Sequence, residues 1–237
     1  MGLKSSLETI LNNVERAKQK SSQNKEVIIV AATKTRPFSL IEDIYFLGVR
    51  HIGENRIQEA VSKFKPFDGM PKITRRFIGH LQSNKINKFI KLFDTIDSID
   101  SYKLIRKIDS RVENENRTIN ALVEINTSGD KTKKGFKPEL SDELLQCFYL
   151  KNIKMSGLMT LGPLSQDPKE TRSSFVVLRK FLDTLNKEIG DEKLIQLSMG
   201  MSGDYQVAIE EGSTMIRVGT SLLSLIHISE PTSLLSI

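Results

Sequence analysis

The chain has 237 residues, enough for one large domain with a sizeable core. Hydrophobic residues make up 38% and charged residues 27%, which excludes a disordered chain, and no apolar run is long enough to span a bilayer. The net charge of +6 favours anionic ligands, but the cations are scattered and aromatics amount to 6% with no Trp, so neither a nucleic-acid partner nor a membrane is expected.

In chain order, the first element is a helix. Leu3, Leu7, Ile10, Leu11 and Val14 recur at helical spacing, the mark of an amphipathic helix packed on the domain. Met1-Gly2-Leu3-Lys4-Ser5-Ser6 formally fits an acylation pattern, and the helix is the preferred reading. The run from Val27 to Ala32 is apolar and β-branched, as a strand buried on both faces should be. Pro37 stops it, and Ser39 can cap a helix over 40–47. Strands then follow at 50–54, 76–80, 95–99, 118–126, 153–160, 194–197 and 215–218. Between them lie helices from Asn55, over 86–92, over 102–112, from about 138, over 173–189 and over 205–211. The single cysteine, Cys147, falls in an apolar helical stretch and reads as core. It excludes an internal disulfide and suits a reducing compartment, the cytoplasm or alternatively the mitochondrion. Three histidines without metal-ligand spacing give no metal site.

About eight βα units are expected, the count of a single (β/α)8 TIM barrel, here with an extra N-terminal helix. An open doubly wound sheet competes, but it usually carries a glycine-rich turn after its first strand, and Lys34-Thr35-Arg36-Pro37 is not one. In a barrel, the residues that follow the strands face one end. Here they include Lys34, Asn55, His80, Asn126, Met159, Thr160, Ser198, Gly200, Arg217, Gly219 and Thr220. A lysine held there, partly desolvated, can lose its proton and form a Schiff base with an aldehyde, although most lysines at strand ends are merely solvated. Leu197-Ser198-Met199-Gly200-Met201-Ser202-Gly203-Asp204 and Arg217-Val218-Gly219-Thr220 supply small residues, hydroxyls and a guanidinium after the seventh strand and at the eighth. Phosphate groups often sit between those two loops.

Several further stretches carry a resemblance: Ala31-Ala32-Thr33-Lys34-Thr35-Arg36-Pro37, Gly53-Glu54-Asn55-Arg56-Ile57-Gln58-Glu59, Phe77-Ile78-Gly79-His80-Leu81-Gln82-Ser83-Asn84-Lys85, Ile96-Asp97-Ser98 and Gly157-Leu158-Met159-Thr160. With the two loops above, they make the chain resemble the pyridoxal phosphate homeostasis protein family over about residues 5 to 220. That family is in turn similar to the N-terminal barrel of alanine racemase. The resemblance implies pyridoxal 5′-phosphate (PLP) as cofactor. It implies that Lys34 carries it, that Ser198, Gly200, Ser202, Gly219 and Thr220 fall in the stretches that hold its phosphate, and that Arg217 faces the pyridine nitrogen. Asn55 and Met159 would line the ring. His80 either stands at the mouth of the same site or orients the loop after the third strand.

A cationic Arg217 beside the nitrogen disfavours the protonated ring that serves best as an electron sink. Racemases of this barrel type also have an arginine there, so Arg217 alone does not exclude catalysis. A racemase needs a second base on the opposite face. In alanine racemase a partner's C-terminal domain supplies it, and this chain is expected to lack such a domain. The expectation is therefore a monomeric protein that carries, buffers or delivers PLP, with apo PLP-dependent enzymes as recipients and without amino-acid turnover. The alternative is a PLP-dependent racemase or decarboxylase. Residues 222–237 depart from the family pattern and read as an appended foreign tail, so the barrel is expected to span 1–221.

Overall fold

Eight parallel strands follow one another around a closed barrel in sequence order. They are β1 (Ile28–Ala32), β2 (His51–Glu54), β3 (Thr74–Phe77), β4 (Thr95–Ile99), β5 (Ile119–Glu124), β6 (Ile153–Met159), β7 (Gln196–Met201) and β8 (Met215–Val218). Pairing of β1 with β8, from Ile28 opposite Met215 to Ala31 opposite Val218, closes the ring. The helices are α1 (Leu3–Lys20), α2 (Phe38–Phe46), α3 (Ile57–Lys63), α4 (Ile86–Leu92), α5 (Tyr102–Glu113), α6 (Asp142–Gln146), α7 (Pro168–Ile189), α8 (Tyr205–Glu210) and α9 (Thr220–Leu223). This computed structural model describes residues 2–64, 67, 69–130, 132–163, 165, 167–190 and 194–223. The (β/α)8 barrel with an added N-terminal helix is the architecture expected above.

Helix starts follow local chemistry. Asp167 caps α7 by accepting from the Lys169 N–H at 2.9 Å, with Pro168 in the first turn. The helix therefore begins five residues before the expected 173. Ser141 caps α6 through the Leu144 N–H at 3.3 Å, so that helix starts at Asp142, not near 138. Ser39 does not cap α2. The helix begins at Phe38 behind Pro37, whose missing N–H costs nothing there.

Three apolar clusters organise the interior. Val30, Leu122, Met159 and Met215 fill the barrel itself. A large cluster joins β3–β7 to α4, α5 and α7, and includes the buried Cys147. A third joins β1, β2 and β8 to α1, α2, α8 and α9. Leu7, Ile10 and Val14 of α1 belong to it, while Leu11 remains 46% exposed. Asn13 Nδ2 donates to the Tyr205 hydroxyl at 3.0 Å, fixing α1 to α8.

The expected boundary after Ser221 falls within α9. Leu222 and Leu223 are each 1% exposed and pack in the same cluster as α1, so they belong to the barrel's folded body. They lie in α9 and do not extend β8. Residues 224–237 of the expected tail, including His227, lie outside the described residues.

Below the mouth, the barrel holds a closed polar network. Arg76 of β3 donates to both oxygens of Asp97 of β4, at 2.7 and 3.0 Å, and Thr95 donates to the same carboxylate at 3.1 Å. His51 Nδ1 lies 3.4 Å from the Arg76 guanidinium. Burial, and then Arg76, push the His51 pKa down to about 4, so the ring is neutral at pH 7.

Candidate functional site

Lys34 stands in the turn after β1, at the barrel's C-terminal mouth, and is exposed. It is thus freer than the partly desolvated lysine expected. Its neighbours are held firmly. The Thr33 hydroxyl is buried and donates to Glu54 Oε1 at 2.5 Å. Lys63 Nζ donates to the Thr33 carbonyl at 2.9 Å and pairs with the same Glu54 oxygen. Beyond Lys34, the Thr35 N–H donates to the Glu59 carboxylate. Thr35 has φ of 62°, a left-handed conformation unusual for a β-branched residue. A lysine on a pinned, sharply bent turn projects its amine from a fixed base. Burial raises the Glu54 pKa, while Lys63 and Thr33 pull it back, and Glu54 Oε2 has no hydrogen-bond partner among the described residues.

β8 neighbours β1, so the loop after Val218 opens beside the Lys34 turn. There the N–H groups of Gly219 and Ser221 both donate to Ser202 Oγ at 3.2 Å, and the Ser221 hydroxyl reaches the same oxygen at 3.1 Å. Three donors converging on one oxygen fit a phosphoryl group, because an anionic oxygen needs that donor set. Thr220 is exposed in the same turn. A Cβ built on Gly219 would come no nearer than 3.5 Å to any atom, so its backbone is accessible. Gly200 answers to a different demand. It has φ of +95°, and a Cβ there would meet the Ala208 Cβ at 2.6 Å, so glycine lets β7 approach α8.

Arg217 is buried, 4% exposed, two residues after the inward-facing Met215. Its guanidinium donates to the Ser198 carbonyl at 2.8 Å, the Ser198 hydroxyl at 2.6 Å and the Thr160 carbonyl at 2.7 Å. Ser198 is therefore beneath the rim and orients the arginine. Burial lowers the Arg217 pKa, and the carboxylates of Asp97, Asp204 and Glu124 oppose that shift. Met159 ends β6 inside the barrel, 1% exposed.

Asn55 follows β2 and is half-buried, and its Oδ1 has no hydrogen-bond partner among the described residues. Such an acceptor leaves a place for a donor. Gly79 packs on its backbone: a Cβ at Gly79 would sit 2.3 Å from the Asn55 carbonyl oxygen. The Ser98 hydroxyl then donates to the Gly79 carbonyl at 2.5 Å, linking the loops after β2 and β3 to strand β4. His80 is exposed and its Nδ1 lies 2.8 Å from Asp100 Oδ2, tying the loop after β3 to the end of β4. That contact supports the loop-orienting reading of His80. Asn126 donates to the Asp130 carbonyl at 2.7 Å and organises its own loop.

The sequence reading did not name Glu124, Glu54 or Lys63 as site residues. Glu124 ends β5, two residues after the inward-facing Leu122, and is 7% exposed. Burial raises its pKa first and Asp100 adds to this, while Arg217 and His80 oppose it. Its carboxyl has no hydrogen bond or ion pair among the described residues. Alternation along the strand was the signal that could have found it. Glu54 lay inside a quoted motif, but its tie to Lys63 nine residues on had no sequence mark.

A family model described as the alanine racemase N-terminal domain matches residues 5–226. The pyridoxal phosphate homeostasis protein of Aquifex aeolicus (strain VF5) is 35% identical over 218 residues, 91% of this chain and 95% of that protein. The protein of the same name from Synechocystis sp. (strain ATCC 27184 / PCC 6803 / Kazusa) is 40% identical over 197 residues, 83% of this chain and 90% of that one. The chain belongs to the pyridoxal phosphate homeostasis proteins of the alanine racemase N-terminal domain family. Among solved structures, PipY of Synechococcus elongatus PCC7942 with PLP bound superposes with a TM-score of 0.84 at 32% identity, covering 94% of this chain and all of that one. The family match runs past Ser221 to residue 226.

Proposed function

We propose that this protein binds pyridoxal 5′-phosphate at the barrel mouth and serves intracellular PLP homeostasis, carrying, buffering or delivering the cofactor without turning over amino acids. The observation that carries the reading is the juxtaposition of an amine on a pinned turn, Lys34, with the three donors that converge beside it at Ser202, Gly219 and Ser221. When bound, the group supplies an aldehyde that an amine attacks reversibly. Lys34 is the amine we assign to hold it. The N–H groups of Gly219 and Ser221, with the Ser202 and Thr220 hydroxyls, bind the phosphate. Ser198 keeps the Arg217 charge fixed toward the ring, where it opposes protonation of the nitrogen. Asn55, with an acceptor unpartnered among the described residues, and the buried Met159 would line the ring.

The carrier reading is supported by the exposure of Lys34 and by the names of the relatives. A turn open to solvent admits a competing amine or water, which favours release. We further propose that it works as a monomer in the cytoplasm and hands PLP to apo-enzymes. Mixing the loaded protein with an apo PLP-dependent enzyme should restore that enzyme's activity faster than free PLP at the same concentration. Incubation with L-alanine and other amino acids should give neither D-isomer nor amine. Product that forms with the native chain and disappears in Lys34→Ala would establish the racemase or decarboxylase reading instead.

A further inference from the structure

The outer wall of the barrel carries a second concave surface, away from Lys34. It is a groove of about 740 Å³ between α4 and α5. Ser83, Asn84 and Tyr102 line its upper end, beside the mouth, and it runs down α5 past Arg106 to Arg111. A smaller cavity of about 200 Å³ continues it, sharing Asn87 and Arg111.

The charge on this surface is one-sided. Lys103, Arg106, Lys107 and Arg111 face the groove, against a single carboxylate, Glu143. Glu143 is itself engaged, accepting from the Tyr102 N–H at 3.2 Å. All four cations are exposed, and none has a hydrogen bond or ion pair through its side chain among the described residues. Some cations on other faces are paired. Arg172 bonds Glu210 and Glu211, Arg75 bonds Asp94 and Lys151 pairs with Glu113.

Helix stability does not account for the pattern. The first turn of α5 contains no acidic residue and does contain Lys103, where the helix dipole disfavours a cation. Lys103 with Lys107, and Lys107 with Arg111, are spaced four apart on one face and repel. The other face of α5 is well built for packing, with Leu104, Ile105, Ile108 and Val112 all buried. The cationic face therefore weakens the helix it stands on, and an anion in the groove would relieve both the repulsion and the dipole conflict.

Size narrows the class of anion. A cavity in this range accommodates a small organic ligand. The lining joins guanidinium and ammonium groups, suited to phosphoryl oxygens, with the Tyr102 ring and the Asn84 and Asn87 amides, suited to a planar heterocycle. We propose that the α4–α5 groove is a binding site for a small polyphosphorylated ligand of nucleotide size, separate from the PLP site at the mouth.

The test uses PLP-loaded protein, so that the mouth's phosphate donors are already engaged. Its probes are ATP and inorganic triphosphate, followed by calorimetry at low and moderate salt. Saturable binding that weakens with salt is expected. The double variant Arg106→Gln with Lys107→Gln keeps good helix formers and should weaken binding about tenfold or more, as expected for lost charged hydrogen bonds. Its PLP absorption and helical circular dichroism should be unchanged. Lys25→Gln, outside the groove, should bind like the native chain. If ATP binds more tightly than triphosphate and Tyr102→Ala removes the difference, the heterocycle is read. If the two bind alike, the phosphate chain alone is read. The proposal is overturned if neither probe binds at millimolar concentration, if the double variant binds as well as the native chain, or if only long RNA or an acidic protein binds.

Discussion

The barrel's two polar regions are built differently. Below the mouth, Arg76, Asp97 and Thr95 satisfy one another, with both carboxylate oxygens accepting. At the mouth, Asn55 Oδ1 and Glu54 Oε2 are buried without hydrogen-bond partners among the described residues, and donors crowd onto Ser202 Oγ. A closed network holds architecture, whereas groups left open or over-supplied with donors await something else. Exposed groups at the mouth, such as Lys34 and Thr220, can therefore be altered with little loss of stability, and the closed network cannot.

The largest expected effect tests the closed side. Asp97→Ala would leave the Arg76 charge buried and unpaired, costing about 3–5 kcal/mol, while Arg76→Leu with Asp97→Leu should recover most of it. Urea titration of the three proteins checks this, and equal destabilisation by the single and double changes would contradict it. Next is the boundary within α9. Leu223→Ala should cost about 2–4 kcal/mol, and a chain ending at Ser221 should be less stable than one ending at Leu223, by the same titration.

On the open side, Thr220→Val should weaken PLP binding by about 1–3 kcal/mol through a lost charge-assisted bond, with the urea midpoint unmoved. Pyridoxal lacking the phosphate should bind far more weakly to the native chain and be indifferent to the change. Fluorescence titration with both vitamers decides it. The smallest effect concerns His51. Its folded pKa is lowered to about 4 from 6.5, so as pH falls through that window the unfolded chain binds a proton that the folded chain does not, and stability is lost. The half-buried ring limits the loss to about 1–2 kcal/mol. His51→Gln should flatten the stability profile between pH 6.5 and 4, measured by thermal melting.

Continuous apolar runs and helical spacing made the barrel legible, because each strand is buried on both faces and each helix on one. The residues after the strands could be named for the same reason, since topology alone sends them to one end. What stayed hidden depends on contacts between distant elements. Ser198 reads as a loop hydroxyl until Arg217, on the next strand, is seen to donate to it. Gly200 reads as a phosphate-loop glycine until α8 is seen against it. Leu222 and Leu223 look foreign beside the family pattern, yet α1 covers them, and a comparison by motif cannot show which residues a helix 200 positions earlier will bury.

The central claim is that the open mouth holds PLP through Lys34. Protein purified with PLP should absorb as a yellow chromophore. After borohydride reduction and peptide mapping, the pyridoxyl group should lie on Lys34. Lys34→Ala should lose the chromophore while its melting temperature stays within error of the native chain, since the exposed side chain packs on nothing in the core. A colourless protein, or a label mainly on Lys85 or another lysine, would contradict the account.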